Sequence, residues 1–282
     1  MEKVTDEVHK NGSFIYCQLW ALGRVANKQY AEKTGITVMS SSATQLSDDL
    51  AMPKEMTQED INSTIATYAQ AAKNAIAAGF DGVEIHGANG YLVDQFLQDT
   101  CNKRTDKYGG SVENRSRFAV EVTQAVVDAV GADKTAIRLS PFSEFQGMKM
   151  QDPLPQFTDI IKKLNNFGLA YLHLVEGRVS GNADIETNDS LNPLLPHYKG
   201  TLLIAGGFKA DSAKRLVEEH KDRDIVVVFG RYFISTPDLV FRLEKGIDFT
   251  PYDRDSFYMP KSETGYIDYE FSEEFKQAHA NL

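Results

Sequence analysis

The sequence predicts an α/β protein of the TIM-type (β/α) barrel class, on three observations. Short apolar segments alternate with amphipathic helical segments along most of the chain, a rhythm typical of βαβ units and a parallel sheet. The length of 282 residues suits one large barrel, and we expect a single domain over 1–282. No GxGxxG motif follows the first strand, which makes the doubly wound dinucleotide-binding fold the weaker choice.

The amino-terminal elements follow from their periodicity. An amphipathic helix is predicted over 1–10, where Asn-Gly follows as a stop signal. The segment 14–20, FIYCQLW, alternates as a strand does. Gln18 facing the interior would be unusual for a packed core unless a flat polar group lies above it. Residues 21–56 show no clean period and many polar side chains, so we predict a long loop there, of a kind that is usually functional or mobile.

From residue 57 onward, helices and strands alternate. Capping residues and apolar stripes, usually ended by glycine, predict helices over 57–79, 111–131, 155–167, 209–220 and 238–245. Short runs rich in apolar residues complete the set of predicted strands, which are 14–20, 82–87, 135–141, 170–176, 201–207 and 225–231. A closed barrel of this class has eight strands, so these six are too few to close one.

Composition excludes several classes of partner. Forty acidic residues against thirty basic ones give a net charge of −10 without a long basic cluster, which argues against nucleic acid or an anionic membrane surface. No apolar run approaches a membrane span, and the amino terminus lacks the apolar core of a signal peptide. Cys17 and Cys101 form no CxxC pair, so neither a disulfide framework nor a metal site is suggested. We expect a cytoplasmic enzyme that acts on a small molecule.

The stretch 80–118 carries the densest chemistry. A short strand bounded by glycines places His86 at its carboxyl end, and Asn89 and Tyr91 follow within five residues. Enzymes with (β/α) barrels keep their active sites at that end of the strands. On composition alone, a buried structural histidine followed by an ordinary Asn-Gly turn explains the pattern equally well.

The same residues carry a family resemblance. HGANGYLVDQFL, followed closely by NKRTDKYGGSVENRSRF, resembles the active-site strand and next loop of the Old Yellow Enzyme family, particularly its fungal members. The similarity runs through most of the chain. It implies a (β/α)8 barrel that binds FMN, takes hydride from NADPH and reduces the C=C bond of an enone or enal. Against the family pattern, we expect this barrel to lack the first two strand–helix units.

The resemblance also implies roles at the substrate. His86 and Asn89 match the pair that hydrogen-bonds the substrate oxygen, where two donors can stabilise developing negative charge. Tyr91 matches the residue that donates a proton to the α carbon. Trp20 and Tyr258 match aromatic walls of the substrate pocket, although packing in a core or lid accounts for them equally well.

Further residues match the family's flavin site. Arg138 and Gln18 match residues beside the pyrimidine edge of the flavin, and the alternative for Arg138 is a buried ion pair with Glu84. Glycines end the last two strands, where the family builds its phosphate site and where backbone N–H groups can approach an anion. The matching residues there are Gly206, Gly207, Gly230 and Arg231. Fungal members often carry Asn in place of Gly207, and turn glycines with a solvated arginine are the alternative.

Other functions and roles stay open at this point. One alternative is a non-catalytic or unstable member of the family that does not hold FMN. A phosphate-binding barrel aldolase or isomerase is another, and it would need a Schiff-base Lys149 or a carboxylate such as Glu176. We interpret His173 as a buried structural histidine, and Arg104 with Asp106 as a network that pins the loop. A homodimer and either nicotinamide cofactor are compatible with the sequence.

Overall fold

Six parallel strands form one sheet in the computed structural model, which describes residues 1–177, 179–180, 183–184 and 189–280. Their order across the sheet is β1-β4-β5-β6-β9-β10, so each helical connection returns the chain to the same direction. The strands are β1 (Tyr16–Leu19), β4 (Gly82–Gly87), β5 (Thr135–Leu139), β6 (Tyr171–Val175), β9 (Leu202–Ala205) and β10 (Ile225–Val228). Two smaller ladders pair β2 (Met39–Ser40) with β3 (Lys54–Glu55) and β7 (Val179–Ser180) with β8 (Ala183–Asp184).

The helices cover the chain between and beyond these strands. They are α1 (Glu2–Lys10), α2 (Lys28–Thr34), α3 (Gln58–Ala77), α4 (Leu92–Leu97), α5 (Val112–Val130), α6 (Leu154–Leu164), α7 (Ala210–Glu219), α8 (Arg231–Ser235), α9 (Leu239–Lys245) and α10 (Glu273–Ala278). A capping box between Thr57 and Asp60 starts α3, and Ser111 caps α5 through the Asn114 N–H. Within the described residues, no helix has both the length and the apolar character needed to cross a bilayer.

The core lies between the central strands and the helices α3, α5 and α6. Every residue of β4 is buried, and Ile85 and Ile137, on β4 and β5, are completely so. Phe96 of α4 stacks on Phe118 of α5, with ring centroids 4.1 Å apart. Strands buried on both faces in this way are typical of parallel sheets.

The register brings polar residues of neighbouring strands to one level. His86 on β4 lies opposite Arg138 on β5, and Arg138 lies opposite His173 on β6. On the outer strand β1, Gln18 lies opposite Glu84 of β4. Five polar side chains therefore converge near the carboxyl ends of four adjacent strands.

The two outer strands differ from the central ones. Among the described residues, no further strand pairs with the free edge of β1 or of β10. Val226 of β10 is 47% exposed, and Phe14, just before β1, is largely exposed. Within the described residues, β1 and β10 are therefore the two edge strands of the sheet.

The six predicted strands are all present, with their ends drawn in by one or two residues in most cases. The stretch 21–56 is more structured than its composition indicates. It contains α2, whose Asn27 side chain accepts a hydrogen bond from the Tyr30 N–H, and the ladder of β2 with β3. Strands of two residues carry no periodicity, so composition could not reveal them.

Candidate active site

A tight turn at the carboxyl end of β4 carries the candidate catalytic residues. Asn89 and Gly90 have φ angles of 56° and 76°, a left-handed pair that asparagine and glycine tolerate better than other residues. The Asn89 N–H donates to the Ser140 hydroxyl at 2.7 Å, which ties the turn to the end of β5. Tyr91 then precedes α4 as its N-terminal cap.

Three aromatic rings meet beside this turn. The His86 and Tyr91 rings lie with centroids 5.0 Å apart, and Trp20 contacts Tyr91 edge-on at 5.0 Å. Trp20 is 55% exposed, since it follows the outer strand β1. Trp20 and Tyr91 also line a small cavity of about 280 Å³, together with Leu22, Val25, Leu46, Leu50 and Gln146. The fold thus brings Trp20, which is remote in sequence, to His86 and Tyr91.

A buried carboxylate organises the polar side chains below the turn. Glu84 accepts a hydrogen bond from Gln18 Nε2 at 2.6 Å and pairs with His173 Nδ1 at 2.8 Å. Burial alone would raise the pKa of Glu84, but the contacts with His173 and Gln18 and the charge of Arg138 lower it to about 2. His173 is buried, as interpreted from the sequence, and its Nδ1 is paired with Glu84.

Arg138 makes no ion pair with Glu84 in the described structure, so that alternative is wrong. The carboxylate is hydrogen-bonded to Gln18, His173 and Tyr171, and Arg138 acts on it through its charge at longer range. Burial lowers the pKa of the Arg138 guanidinium, with the Glu84 charge opposing that effect. An arginine placed this way needs a polar partner from elsewhere.

Three buried nitrogen atoms at this level have no hydrogen-bond partner. They are Nδ1 of His86, Nε2 of His173 and Nε of Arg138. A buried polar group without a partner costs about 1–3 kcal/mol, so such a cluster usually marks a place where a ligand completes the bonds. Burial, aided by the positive charge of Arg138, lowers the pKa of His86 to about 3, so its imidazole is neutral near pH 7.

A cavity of about 280 Å³ continues from Arg138 along the carboxyl ends of β9 and β10. Its wall includes the predicted phosphate residues Gly206, Gly207, Gly230 and Arg231, together with Tyr258. Gly207 has a φ of 64°, and a Cβ at Gly230 would meet no atom within 4 Å, so backbone is open to a close approach here.

Aromatic contacts orient the arginine of this cavity. Arg231 Nη1 donates to the Tyr252 hydroxyl at 2.9 Å, and its guanidinium lies 5.2 Å from the centre of that ring. Tyr258 is 83% exposed and lies with this group rather than beside Trp20. Arg138 joins the two parts of the site, because it faces His86 in the sheet and also lines this cavity.

Sequence reasoning missed two buried residues of α4 that hold the catalytic turn. Asp94 Oδ2 accepts from the Gly90 N–H at 2.8 Å, and Gln95 Nε2 donates to the Gly90 carbonyl at 2.7 Å. Burial raises the pKa of Asp94 to about 7 against the opposing hydrogen bonds from Gln98 and Gly90. The available signal was the pair of polar residues inside the otherwise apolar run LVDQFL.

Two other interpretations have clear outcomes. Arg104 forms a two-point pair with Asp106 and donates to the carbonyls of Ser41 and Met56, so the predicted loop-pinning network is confirmed. Lys149 Nζ contacts Asp189 at 2.7 Å, and that contact raises the pKa of Lys149. A Schiff-base lysine needs a neutral amine, so this side chain does not favour aldolase chemistry.

Comparison with protein-family models gives a match over residues 1–249. The matching model is that of the NADH:flavin oxidoreductase / NADH oxidase family. All six strands of the sheet lie within the matched range, as do the site residues named above except Tyr252 and Tyr258.

Among curated proteins, fungal relatives match nearly the whole chain. The Chanoclavine-I aldehyde reductase fgaOx3 of Penicillium roqueforti is 55% identical over 98% of this chain and 76% of its own length. The NADP-dependent oxidoreductase lnbE of Aspergillus flavus is 49% identical, over 97% and 75%. A protein of Claviceps purpurea named as a probable inactive dehydrogenase, easA, is also 49% identical, over the same shares of the two chains.

Among solved structures, Old Yellow Enzyme from Pichia sp. AKU4542 is similar in both fold and sequence. The two chains are 39% identical and superpose with a TM-score of 0.88. The match covers 96% of this chain and 73% of the other.

Proposed function

The chain belongs to the NADH:flavin oxidoreductase / NADH oxidase family and is a protein of the Old Yellow Enzyme type, and from this premise we propose its reaction. With NADPH as the hydride source, it would reduce the C=C bond of an α,β-unsaturated carbonyl compound, an enone or enal, by addition of hydride at the β carbon. Relatives named as aldehyde reductases favour an unsaturated aldehyde, and a relative named as NADP-dependent favours NADPH over NADH. The net charge of −10 also supports a small-molecule substrate rather than a nucleic acid.

One observation carries this proposal. The unpartnered buried nitrogens of His86 and Arg138 lie on neighbouring strands, and Arg138 also lines the cavity that ends at the glycines of β9 and β10. These residues fit a planar polar ring joined to a phosphate. Gln18 and Arg138 would hold the ring, and the phosphate residues already named would hold the other end through backbone N–H groups and one guanidinium. FMN, when bound, supplies the hydride chemistry.

The chain's own residues orient and polarise the substrate. The neutral imidazole of His86 and the side-chain amide of Asn89 can both donate hydrogen bonds to the carbonyl oxygen of the substrate. Two such donors stabilise the charge that develops on that oxygen. Tyr91, beside His86, supplies the proton to the α carbon, and Trp20 forms one wall.

A second candidate is a family member without catalytic activity. The name of the easA relative describes that protein as probably inactive. Gln18 lies on, and Trp20 directly follows, an outer strand that has one free edge in the described structure. In this case the chain would keep the fold but not retain FMN.

The visible absorbance spectrum of the purified protein separates these candidates. We expect bound flavin absorption and a new long-wavelength band when p-hydroxybenzaldehyde is added, because a phenolate above the ring makes a charge-transfer contact. NADPH under anaerobic conditions should bleach the flavin, and an enal should restore its colour. Tyr91→Phe should keep the bleaching and lose most of the enal reduction. A protein that stays colourless after FMN is added back would overturn the proposal in favour of the second candidate.

A further inference from the structure

Gln95 is a completely buried glutamine in α4, and no role in the reaction accounts for it. Its Nε2 donates to the carbonyls of Leu22, at 3.0 Å, and Gly90, at 2.7 Å. Its Oε1 accepts from the Arg24 N–H at 3.1 Å and from the Ser40 hydroxyl at 2.7 Å. A side-chain amide offers two donors and two acceptor positions, so Gln95 is used to its full capacity.

The orientation of this amide is fixed by its partners. Leu22 and Gly90 present carbonyl oxygens, which only accept, whereas Arg24 presents a backbone N–H, which only donates. A flipped amide would place its oxygen against the two carbonyl oxygens and its NH2 group against the Arg24 N–H, so three of its four contacts would be repulsive. The Gln95 side chain therefore has one arrangement that satisfies every neighbour.

These contacts join three segments that are remote in sequence. Gly90 belongs to the turn that carries Asn89 and Tyr91, Leu22 and Arg24 follow Trp20 closely, and Ser40 belongs to β2. The Leu92 N–H donates to the Ala21 carbonyl at 3.0 Å and reinforces the same junction. The approach at Gly23 is so close that an added Cβ would overlap the Gln95 amide.

The neighbouring Asp94 does not make this connection. Its carboxylate contacts the Gly90 N–H and the Gln98 side chain, so it ties the turn only to its own helix. Gln95 ties the turn to the segment that carries Trp20. Tyr91 and Trp20, whose ring centroids lie 5.0 Å apart, stand on the two sides of that second connection.

We propose that Gln95 is a positioning residue that sets Asn89 and Tyr91 in register with Trp20 and so shapes the substrate side of the site. The catalytic consequence rests on the proposed function, whereas the structural consequence does not. Removing the amide should let the turn and the Trp20 segment move independently. Substrate contacts would then weaken without any change at the glycines that face the phosphate.

The experiment compares Gln95→Met with Gln156→Met in the full chain. Gln156 is an equally buried glutamine whose amide bonds Val112, Ser116 and Arg115 between α5 and α6, away from the site. Both variants should lose similar stability, which controls for the general cost of removing a buried amide. The first readout is acrylamide quenching of Trp20, the chain's single tryptophan, without any ligand. The second is the dissociation constant of p-hydroxybenzaldehyde on the FMN-loaded protein.

We expect Gln95→Met to raise the quenching of Trp20. The dissociation constant of p-hydroxybenzaldehyde should rise about tenfold, which is equivalent to one to two lost hydrogen bonds. The FMN content should stay unchanged. Gln156→Met should change neither readout. Equal quenching in the two variants would overturn the proposal. If no chain holds FMN but only Gln95→Met alters the quenching, Gln95 keeps its positioning role and the proposed function falls.

A second variant guards against a failure of Gln95→Met to fold. In Gln95→Glu a carboxylate would face the two carbonyls at neutral pH and repel them, whereas a protonated carboxyl would restore one donor. We expect the quenching of Trp20 to be high at neutral pH and to return toward the wild-type value as the pH falls. Quenching that is independent of pH and equal to that of the wild type would contradict the positioning role.

Discussion

The two parts of the candidate site are built in different ways. At the β4–α4 end, the strand is entirely buried and the turn is held by Ser140, Asp94 and Gln95. At the β9–β10 end, Gly207 and Gly230 are exposed, and β10 has one free edge in the described structure. The first end owes its geometry to the chain's own contacts, whereas the second presents backbone that a ligand would complete.

This difference separates two kinds of consequence. Substitutions at the β4–α4 end remove contacts that the folded chain already makes, so they should lower stability whether or not a ligand is present. Substitutions at the β9–β10 end should leave the free chain almost unchanged and alter ligand affinity instead. Four comparisons between variants test this division.

The largest effect is expected at Glu84. Glu84→Leu leaves the buried His173 ring and the Gln18 amide without their partner, and removing one side of a buried pair typically costs about 3–5 kcal/mol. Urea unfolding monitored by circular dichroism measures the loss. Glu219→Leu, on the exposed surface of α7, is the control and should stay close to the wild type. Equal urea midpoints for Glu84→Leu and Glu219→Leu would contradict the view that the chain's own contacts hold the β4–α4 end.

The second effect concerns pH, through Asp94. Because the folded chain holds the pKa of this carboxyl at about 7, above its unfolded value of 3.8, the native state binds the extra proton between those values. The contribution of Asp94 to the free energy of unfolding is therefore complete below about pH 4. It falls as the pH rises to about 7, by up to about 4 kcal/mol. Asp94→Asn should remove this fall in a series of urea titrations, and Asp128→Asn on exposed α5 should retain it.

Glu84 has the opposite sign, so the two carboxylates of the β4–α4 end can be distinguished. Its pKa of about 2 lies below the unfolded value of 4.5, so its contribution is full above pH 4.5 and is lost as the pH falls through 2. The loss of stability at acid pH should thus be smaller in Glu84→Leu than in the wild type, while the fall toward neutral pH remains.

The third effect compares substitutions at three glycines. Gly90→Ala would force a side chain into a left-handed residue and place its Cβ 2.7 Å from Gln146 Cβ, at a cost of about 2–3 kcal/mol. Gly35→Ala has similar left-handed backbone strain but open space around the added Cβ. The difference in stability between Gly90→Ala and Gly35→Ala therefore measures the cost of the steric contact. Gly230→Ala, with φ of −103° and open space, should cost less than about 0.5 kcal/mol. Thermal unfolding of the three variants checks this order.

The smallest effect on the protein, and the one specific to the ligand, is expected at Arg231. Arg231→Met should weaken FMN binding about tenfold, since the variant loses a charge-assisted contact, while the unfolding midpoint stays nearly constant. Quenching of FMN fluorescence on titration measures the affinity. Arg254→Met is the matched control, because Arg254 packs over the same Tyr252 ring without lining the cavity. Equal FMN affinities for the two variants would contradict the assignment of the phosphate end.

Local patterns predicted the frame of the molecule. Alternation and helical stripes predicted the six strands and the long helices, because a sheet with covered faces imposes those periods on the sequence. The HGANGY motif predicted that His86, Asn89 and Tyr91 share one turn, and the fold brings Trp20 to them.

Long-range polar contacts could not be predicted in the same way. Gln95 meets Leu22 and Arg24 from more than seventy residues away, and His173 meets Glu84 from eighty-nine. Such partners depend on how strands and loops lie side by side, and no local period encodes them. The sequence showed two polar residues in an apolar run, but it could not show what they bond.

The edge position of β10 affects how often the backbone amides at this end of the sheet become open to hydrogen exchange. Within the described residues, β10 pairs with β9 alone, and its side chains are partly exposed, so this side should exchange amide hydrogens by small local openings. Strands β4 and β5, paired on both sides and covered by α3 and α5, should exchange only when the whole domain opens. The cavity beside Gly207 and Gly230 would thus open locally many times for each opening of the turn that carries Tyr91.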